Sequence, residues 1–383
     1  MRKMTKNITI AAAVASTLAF AAPAFAAGVA LTGNGDSKLK VEGLFYLNTF
    51  AESKDSTTLP TTKTKTFGLN TQRAYITIKY IFNDNWYARF TTDMAGESTL
   101  GHKQNVYVKY AYLDGKLAGK QAVLRIGQSH TPWIDHEESL MKYRFIENTM
   151  VDKANFDSSA DLGLGLYGDL ADNMVSYFVT ETNGHGYGNG SPSNAMDFDG
   201  RITIRPIKGL ELDGQFRDGY RGTKTSTVAG IKSTFYQVML AYGMDNFRIG
   251  ANYLNNKDDA KATGVAWTNH NGNLGSGFLT GTSVAGQQVK STGWDVWGWY
   301  DVPGTDFGLF GRYENQENKA NFLAAGTLYK EKVQHYVAAA AYRPTKGVTL
   351  ALALDNTEVK DFGGLSGHTV KDARYGLYTQ VAF

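Results

Sequence analysis

The last stretch of this chain, Tyr375 to Phe383, alternates between apolar and polar side chains down to its final residue. Tyr375, Leu377, Val381 and Phe383 share one parity, and Arg374, Gly376, Tyr378 and Gln380 share the other. Successive side chains of a strand point to opposite faces, so this pattern specifies a sheet with one apolar and one wet face. The same period recurs far upstream. Ala74, Ile76, Ile78 and Tyr80 oppose Arg73, Tyr75, Thr77 and Lys79, and Gly200, Ile202 and Ile204 oppose Asp199, Arg201, Thr203 and Arg205. Leu210, Leu212, Gly214 and Phe216 oppose Glu211, Asp213, Gln215 and Arg217, and Val348, Leu350, Leu352 and Leu354 oppose Thr349, Ala351, Ala353 and Asp355. No apolar face among these carries a charge. A lipid-facing surface requires that, since a mid-membrane Arg or Lys costs roughly 2–4 kcal/mol.

Composition alone does not separate a large soluble β protein from a membrane barrel, because a wet interior offsets an apolar exterior in the average. The order of the parts does. Sixteen strand-like segments run over about 38–50, 66–82, 85–95, 104–113, 121–129, 160–168, 173–183, 197–206, 209–218, 233–243, 246–255, 291–301, 306–316, 332–343, 347–357 and 368–383. Their connections alternate between short and long. The short ones, such as Asn83-Asp-Asn85, Met244-Asp-Asn246 and Pro344 to Gly347, carry the Asn, Asp, Gly and Pro of tight turns. The long ones, above all 129–159 and 255–290, are polar and irregular. Short turns at one end and long loops at the other predict an all-β, antiparallel up-and-down transmembrane barrel of sixteen strands, both termini at the short-turn end. Tyr80, Trp86, Tyr112, Tyr300, Phe307, Tyr342 and Phe383 lie near the short turns and are expected to form an aromatic girdle. Trp294, Trp297 and Trp299 occur on both parities, so the facing of 291–301 stays open.

The first residues read as a leader: Arg2, Lys3 and Lys6, a short apolar stretch from Ile8 to Phe20, and a small-x-small site at Ala24-Phe25-Ala26. Cleavage after Ala26 would leave one barrel domain over 27–383. The leader holds three basic residues and no acid, so the formal +3 of the whole chain belongs to it and the remainder is neutral. No nucleic-acid or other polyanion partner follows from such a balance. Cysteine is absent, which excludes disulfides, thiolate metal sites and a Cys nucleophile.

A leader, sixteen strands, a long third loop and a terminal Phe together resemble the Gram-negative outer-membrane porins of general diffusion type. Arg73-Ala-Tyr-Ile-Thr-Ile-Lys79, Tyr87-Ala-Arg-Phe-Thr-Thr-Asp93, Arg125-Ile-Gly-Gln-Ser-His-Thr-Pro132 and the stretch from Met141 to Gly168 resemble the phosphate-selective porin family. The dense Arg and Lys ladder of that family is not matched residue by residue. The resemblance implies the bacterial outer membrane with its lipid bilayer and lipopolysaccharide, a homotrimer, and small hydrophilic solutes. It also implies recognition by the barrel-assembly machinery through Tyr375 and Phe383.

Segment 129–159 is too rich in Trp133, Ile134, Leu140, Met141, Phe145, Ile146, Met150 and Val151 to be a solvated flap. It needs a surface to pack on, and the inner barrel wall offers one, so it is expected to fold inward and narrow the channel. Asp135, Glu137, Glu138, Lys142, Arg144, Glu147 and Asp152 are the candidate constriction residues. Arg73, Arg89, Lys109, Arg125, Arg201, Arg205, Arg217, Arg248, Arg312 and Arg374 are expected on the facing basic wall. Lumen positions lean basic, which favours anions, while the loop acids act in the opposite sense.

Other motifs carry less. Gly163-Leu-Gly-Leu-Tyr-Gly168 matches a dinucleotide fingerprint, but that fingerprint needs a following helix and here lies within a strand. His130 and His136 beside Asp135, Glu137 and Glu138 match no tight metal-ligand spacing. His102, His185, His270 and His368 read as loop-surface residues. Ser129 next to His130 does not set a nucleophile against its base. No cofactor, metal or enzymatic activity is expected. The reading is a passive diffusion channel; the alternative is a plugged or closed barrel serving as adhesin or structural anchor, with loop 255–290 making the contact.

Overall fold

The computed structural model describes residues 29–32, 37–57, 61–95, 105–184, 186–188, 195–221, 230–261, 263–264, 283, 285–322, 327–362 and 366–383. The proposed leader, His102, His185, His270 and most of the 261–287 connection lie outside them.

Period-two sequence becomes a closed antiparallel barrel of sixteen strands, β2 to β17. They are β2 (Lys38–Ser56), β3 (Thr62–Ile81), β4 (Trp86–Ala95), β5 (Asn105–Ala118), β6 (Ala122–His130), β7 (Ala160–Leu170), β8 (Val175–Thr182) and β9 (Asp197–Ile204). The second half is β10 (Leu210–Arg221), β11 (Ile231–Met244), β12 (Phe247–Ala260), β13 (Gln288–Asp301), β14 (Phe307–Phe322), β15 (Thr327–Thr345), β16 (Val348–Lys360) and β17 (Thr369–Ala382). Each pairs with its sequence neighbours, and β17 closes the ring on β2 from Ala382↔Leu44 to Val370↔Ser56. Closure leaves no strand edge to satisfy in lipid. One short strand was not expected: β1 (Val29–Thr32) pairs with the start of β2, Val29↔Val41 to Thr32↔Lys38.

Parity sorts the side chains as the alternation predicts. On β11, Ser233, Phe235, Gln237, Met239 and Ala241 are buried inside, while Tyr236, Val238 and Leu240 are exposed outward. Tyr80, Trp86, Tyr300, Phe307, Tyr342 and Phe383 are exposed outward at the short-turn end. Trp294 is outward, whereas Trp297 is buried in the lumen and Trp299 points there to donate its Nε1–H to the Leu140 carbonyl at 2.9 Å. Tyr112 departs from the expected girdle. The register steps from Thr91↔Tyr110 to Thr92↔Val108, so Lys109 is an extra residue in β5. Such a bulge reverses parity beyond it. Lys109, Tyr110, Tyr112 and Asp114 therefore all face inward and are buried.

Gly163 and Gly168 sit inside β7, where a Cβ would lie 2.1 Å from the Glu181 carbonyl oxygen and 2.0 Å from that of Gln121. They allow close backbone approach between strands, and a 3-10 turn (Ala171–Asn173) and β8 follow rather than a helix.

Candidate functional site

Between β6 and β7 the chain turns into the lumen and forms two helical pieces, α1 (Ile134–Met141) and α2 (Met150–Lys153). On α1, Ile134, Glu137, Leu140 and Met141 are buried and share one face, the i, i+3, i+7 stripe of an amphipathic helix. Asp135 and Glu137 lie in its first turn, where the helix dipole favours acids. Thr149 accepts a hydrogen bond from the Asp152 amide and caps α2.

The apolar side chains of this segment merge with those of the wall. Trp133, Ile134, Met141, Tyr143, Phe145, Ile146, Met150, Val151 and Phe156 form one buried cluster with Tyr46, Phe235, Met239, Leu254, Trp297, Phe310, Val337 and Tyr378. Each such side chain contributes roughly 1.5–3 kcal/mol of burial, so the loop is seated and not free. Tyr143 stacks on Phe310 with ring centroids 4.8 Å apart, and Gly293 leaves room for the Met150 sulfur, which a Cβ would meet at 3.0 Å.

Three wall arginines secure the loop backbone. Arg201 donates Nε–H to the Pro132 carbonyl at 2.6 Å, Arg217 donates to that of Phe156 at 3.2 Å, and Arg312 donates to that of Asn148. Buried carbonyls without partners are costly, so these contacts fix the start, middle and end of the loop. Arg201 and Arg217 also pair with Asp213 and with Asp157 and Asp197. Arg312 pairs with Asp295 at 3.3 Å and Glu314 at 2.8 Å. These arginines lie beneath the loop, anchoring it, and not on an open basic wall. Sequence gave no sign of this second use, because a lumen-facing Arg looks the same whether it meets water or a carbonyl.

The loop charges divide by helix face. Glu137 turns to the wall, 2 % exposed, accepting from Trp133 Nε1 and Asn252 Nδ2 at 2.8 Å each. Burial, reinforced by nearby Asp295, pushes its carboxyl up to about 8. It therefore lies away from the channel side, one helical turn from Trp133 on the packed face. Glu138 pairs with Arg144, Asp152 with Arg144 at 3.8 Å, and Glu147 with Lys153 at 3.5 Å. Lys142 pairs with Asp301. Asp135 meets His130 Nε2 at 2.9 Å and accepts from the Tyr110 hydroxyl at 3.2 Å.

On β3 to β7, the wall opposite carries cations among tyrosines. Arg73 pairs with Asp93 at 2.7 Å and donates to Tyr107 Oη at 2.9 Å. Arg125 grips Asp114 through two bonds, 2.7 and 2.8 Å, and lies 4.1 Å from the Tyr112 ring centroid. Arg89 stacks over Tyr110 at 4.6 Å and donates to Thr91 Oγ1 at 3.0 Å. Lys109 donates to Ser159 Oγ and lies 3.7 Å from the Tyr187 ring centroid. Among the described residues, Arg89, Lys109 and Arg248 have no carboxylate within ion-pair distance. Arg205 pairs with Glu211 at 2.7 Å towards the short-turn end, and Arg374 pairs with Glu52 across the β17–β2 seam.

The histidines separate. His136 leaves the Asp135–Glu138 neighbourhood for β10, with Nε2 at 2.8 Å from Glu211 and 3.0 Å from Asp213. Arg201 and Arg205 also neutralise that acid pair, so the donor set does not suit a cation.

At the terminus the Phe383 ring lies over Gly43 and 5.7 Å from Phe45, and Phe383 and Gly43 exchange backbone hydrogen bonds at 3.0 and 2.9 Å. Tyr375 is exposed on the same outward face.

No protein-family profile and no curated protein sequence matches the chain. Solved structures do match in fold. OmpF of Salmonella typhi aligns with a TM-score of 0.61 at 13% identity, over 93% of this chain and 100% of that one. An anion-selective porin from Comamonas acidovorans aligns with a TM-score of 0.59 at 12% identity, over 91% and 100%. The outer-membrane channel DcaP of Acinetobacter baumannii aligns with a TM-score of 0.57 at 13% identity, over 94% and 100%. With its closed ring of sixteen strands and long inward segment, the chain has the fold of the Gram-negative outer-membrane porins.

Proposed function

We propose that this barrel is a passive, water-filled channel for small hydrophilic solutes, narrowed by segment 131–159 and biased towards anions. The carrying observation is an imbalance of charge. Among the described residues, Arg89, Lys109 and Arg248 face the lumen without carboxylate partners, whereas Glu138, Glu147, Asp152 and Asp157 of the loop each have a basic partner and Asp135 meets His130 and the Tyr110 hydroxyl. Glu137 is held mainly neutral by burial. These three cations bias the field beside the loop towards positive, and a low-dielectric wall strengthens that bias. The anion selectivity stated for the Comamonas porin is in keeping with this reading.

The mature chain in this reading begins after Ala26 and assembles as a homotrimer in the outer membrane, as the Vibrio cholerae OmpT structure in its trimer form does. The outward patch of Leu47, Phe67 and Leu69 supports such an assembly, since Phe67 is 74% and Leu69 84% exposed on the single chain. Tyr375 and Phe383 serve as the assembly signal.

Swelling of proteoliposomes tests the function. Equal-sized neutral, anionic and cationic sugars should enter in the order anionic, neutral, cationic, and Arg89→Gln with Lys109→Gln should weaken the preference. Equal entry of all three before substitution would refute the anion bias. No entry of any would refute the channel and favour a closed barrel.

A further inference from the structure

Beneath the inward loop, the wall of β14 to β17 holds a group of side chains that the seating of the loop does not use. Register sets His335 of β15 directly opposite Glu314 of β14, and its Nδ1 lies 3.2 Å from that carboxylate. Its Nε2 lies 2.7 Å from Asp355 of β16. The loop brings a third acid, Glu147, so that one ligand atom each of Glu147, His335 and Asp355 lie within 4.8 Å of one another. His335 and Asp355 are both buried. A carboxylate at one imidazole nitrogen fixes the tautomer and aims the other nitrogen, the arrangement usual for histidines that ligate metals.

Charge and hydrogen bonding both favour a cation here. With His335 neutral, Glu147, Asp295, Glu314 and Asp355 set four negative charges against the two positive ones of Lys153 and Arg312. Glu137 is held mainly neutral, and Arg374 is tied to Glu52. Two negative charges remain. A proton on His335 offsets one of them, whereas a divalent ion in place of that proton offsets both. Two carboxylates as close as Glu147 and Asp355 repel unless a proton or a cation is shared between them. Tyr378 of β17 is a second, independent sign. It is fully buried within electrostatic reach of Asp355 and Glu147, and its hydroxyl forms no hydrogen bond among the described residues. Buried hydroxyls are seldom left so.

We propose that Glu147, His335 and Asp355 form a binding site for a divalent transition-metal cation that ties the inward loop to the barrel wall. One imidazole nitrogen and two carboxylates suit a zinc-like ion, which holds such ligands at about 2.0–2.2 Å, so the three side chains need to close by roughly 0.5 Å. Glu314 orients the imidazole from behind, and the Tyr378 hydroxyl is placed to donate to a ligand carboxylate or to a water on the ion. Entry is from the channel side, where Glu147 and Lys153 are partly exposed. Lys153, 3.5 Å from Glu147 and from Thr357 Oγ1, is the cation that the metal displaces. The site rests on the loop lying against this wall; it does not depend on the lumen conducting.

The test titrates zinc chloride into the EDTA-washed, refolded mature chain by calorimetry. The comparison is with E147Q, H335Q and, as a control, H136Q, which removes the histidine of the other group of His and acids. The site predicts one ion per chain, affinity weakened at least about tenfold in E147Q and H335Q, and affinity unchanged in H136Q. Since the metal takes the place of a proton on Nε2, binding should release protons and weaken on acidification. Zinc should raise the melting temperature of wild type and not of E147Q or H335Q. With copper(II) as probe, electron paramagnetic resonance should show coupling to a single nitrogen that H335Q removes. Folded mobility on unheated gels separates lost binding from lost folding, and E147Q, a loop substitution, serves if H335Q does not fold. No zinc bound by wild type, affinity unchanged in E147Q and H335Q, or affinity lost only in H136Q would overturn the proposal. Loss in H335Q with E147Q unchanged would overturn the tie to the loop.

Discussion

Arg312 is the most deeply buried of the three arginine anchors, and its removal should release the middle of the loop. Its side chain is fully buried, between Asp295 and Glu314, with a third bond to the Asn148 carbonyl. Arg312→Met keeps the length of the side chain but strands two carboxylates and a carbonyl. Removing one partner of a buried ion pair costs about 3–5 kcal/mol, and an orphaned carbonyl about 1–3 kcal/mol. The acids can take up protons instead of remaining charged, which limits the sum, so a loss of about 3–5 kcal/mol at neutral pH is expected. Protonation relieves the penalty, and the gap between variant and wild type should narrow as the pH is lowered. The loop has two further arginine anchors and its apolar seat, so the barrel itself should still form. The assay pairs the temperature at which folded mobility is lost on gels with single-channel current noise. R312M should melt earlier and flicker more, and adding Glu314→Gln should restore a substantial part of both. A variant with wild-type melting and quiet current would refute the idea that Arg312 anchors the loop.

Further outcomes follow from other parts of the structure. Glu137 is raised from 4.5 to about 8 in the folded chain, so between those values the folded state holds a proton that the unfolded state does not. Stability should then fall with rising pH across that window, by about 1.4 kcal/mol per unit at most, and level off above it. Glu137→Gln should remove this slope, matching wild type at low pH and exceeding it above pH 8 in thermal melts. Arg89→Glu with Lys109→Glu should move the reversal potential under a salt gradient towards the cation side, and an unmoved potential would mean these cations do not face the permeating ions. Phe383→Ala should reduce insertion yield in membranes containing the assembly machinery several-fold more than Tyr342→Ala, another outward aromatic. Equal yields would reduce Phe383 to an ordinary girdle residue.

The strands were legible because lipid outside and water inside impose a strict alternation, and Ile202 or Leu352 on the wrong parity would be costly. The short turns were legible for the same local reason. Parity fails where the chain adds a residue: nothing around Lys109 announces the bulge, and so Tyr112 looked outward although it lies beneath Arg125. The three tryptophans on β13 illustrate a different limit. Trp297 and Trp299 are apolar yet face the lumen, because the loop brings its own apolar surface to meet them. That the loop must pack inward could be read from its hydrophobic content. Which charges it would bury could not, since Glu137 and Glu138 are sequence neighbours sent to opposite sides by the pitch of α1. The pairing of each lumen arginine is likewise a matter of cross-strand register, which a linear pattern does not encode.

The most direct test of the channel reading is the current through the refolded mature chain in a planar bilayer under a salt gradient. Stepwise conductance with a reversal potential on the anion side is the result this structure predicts. A barrel that inserts but passes no current, or one that conducts with a clear cation bias, would contradict it.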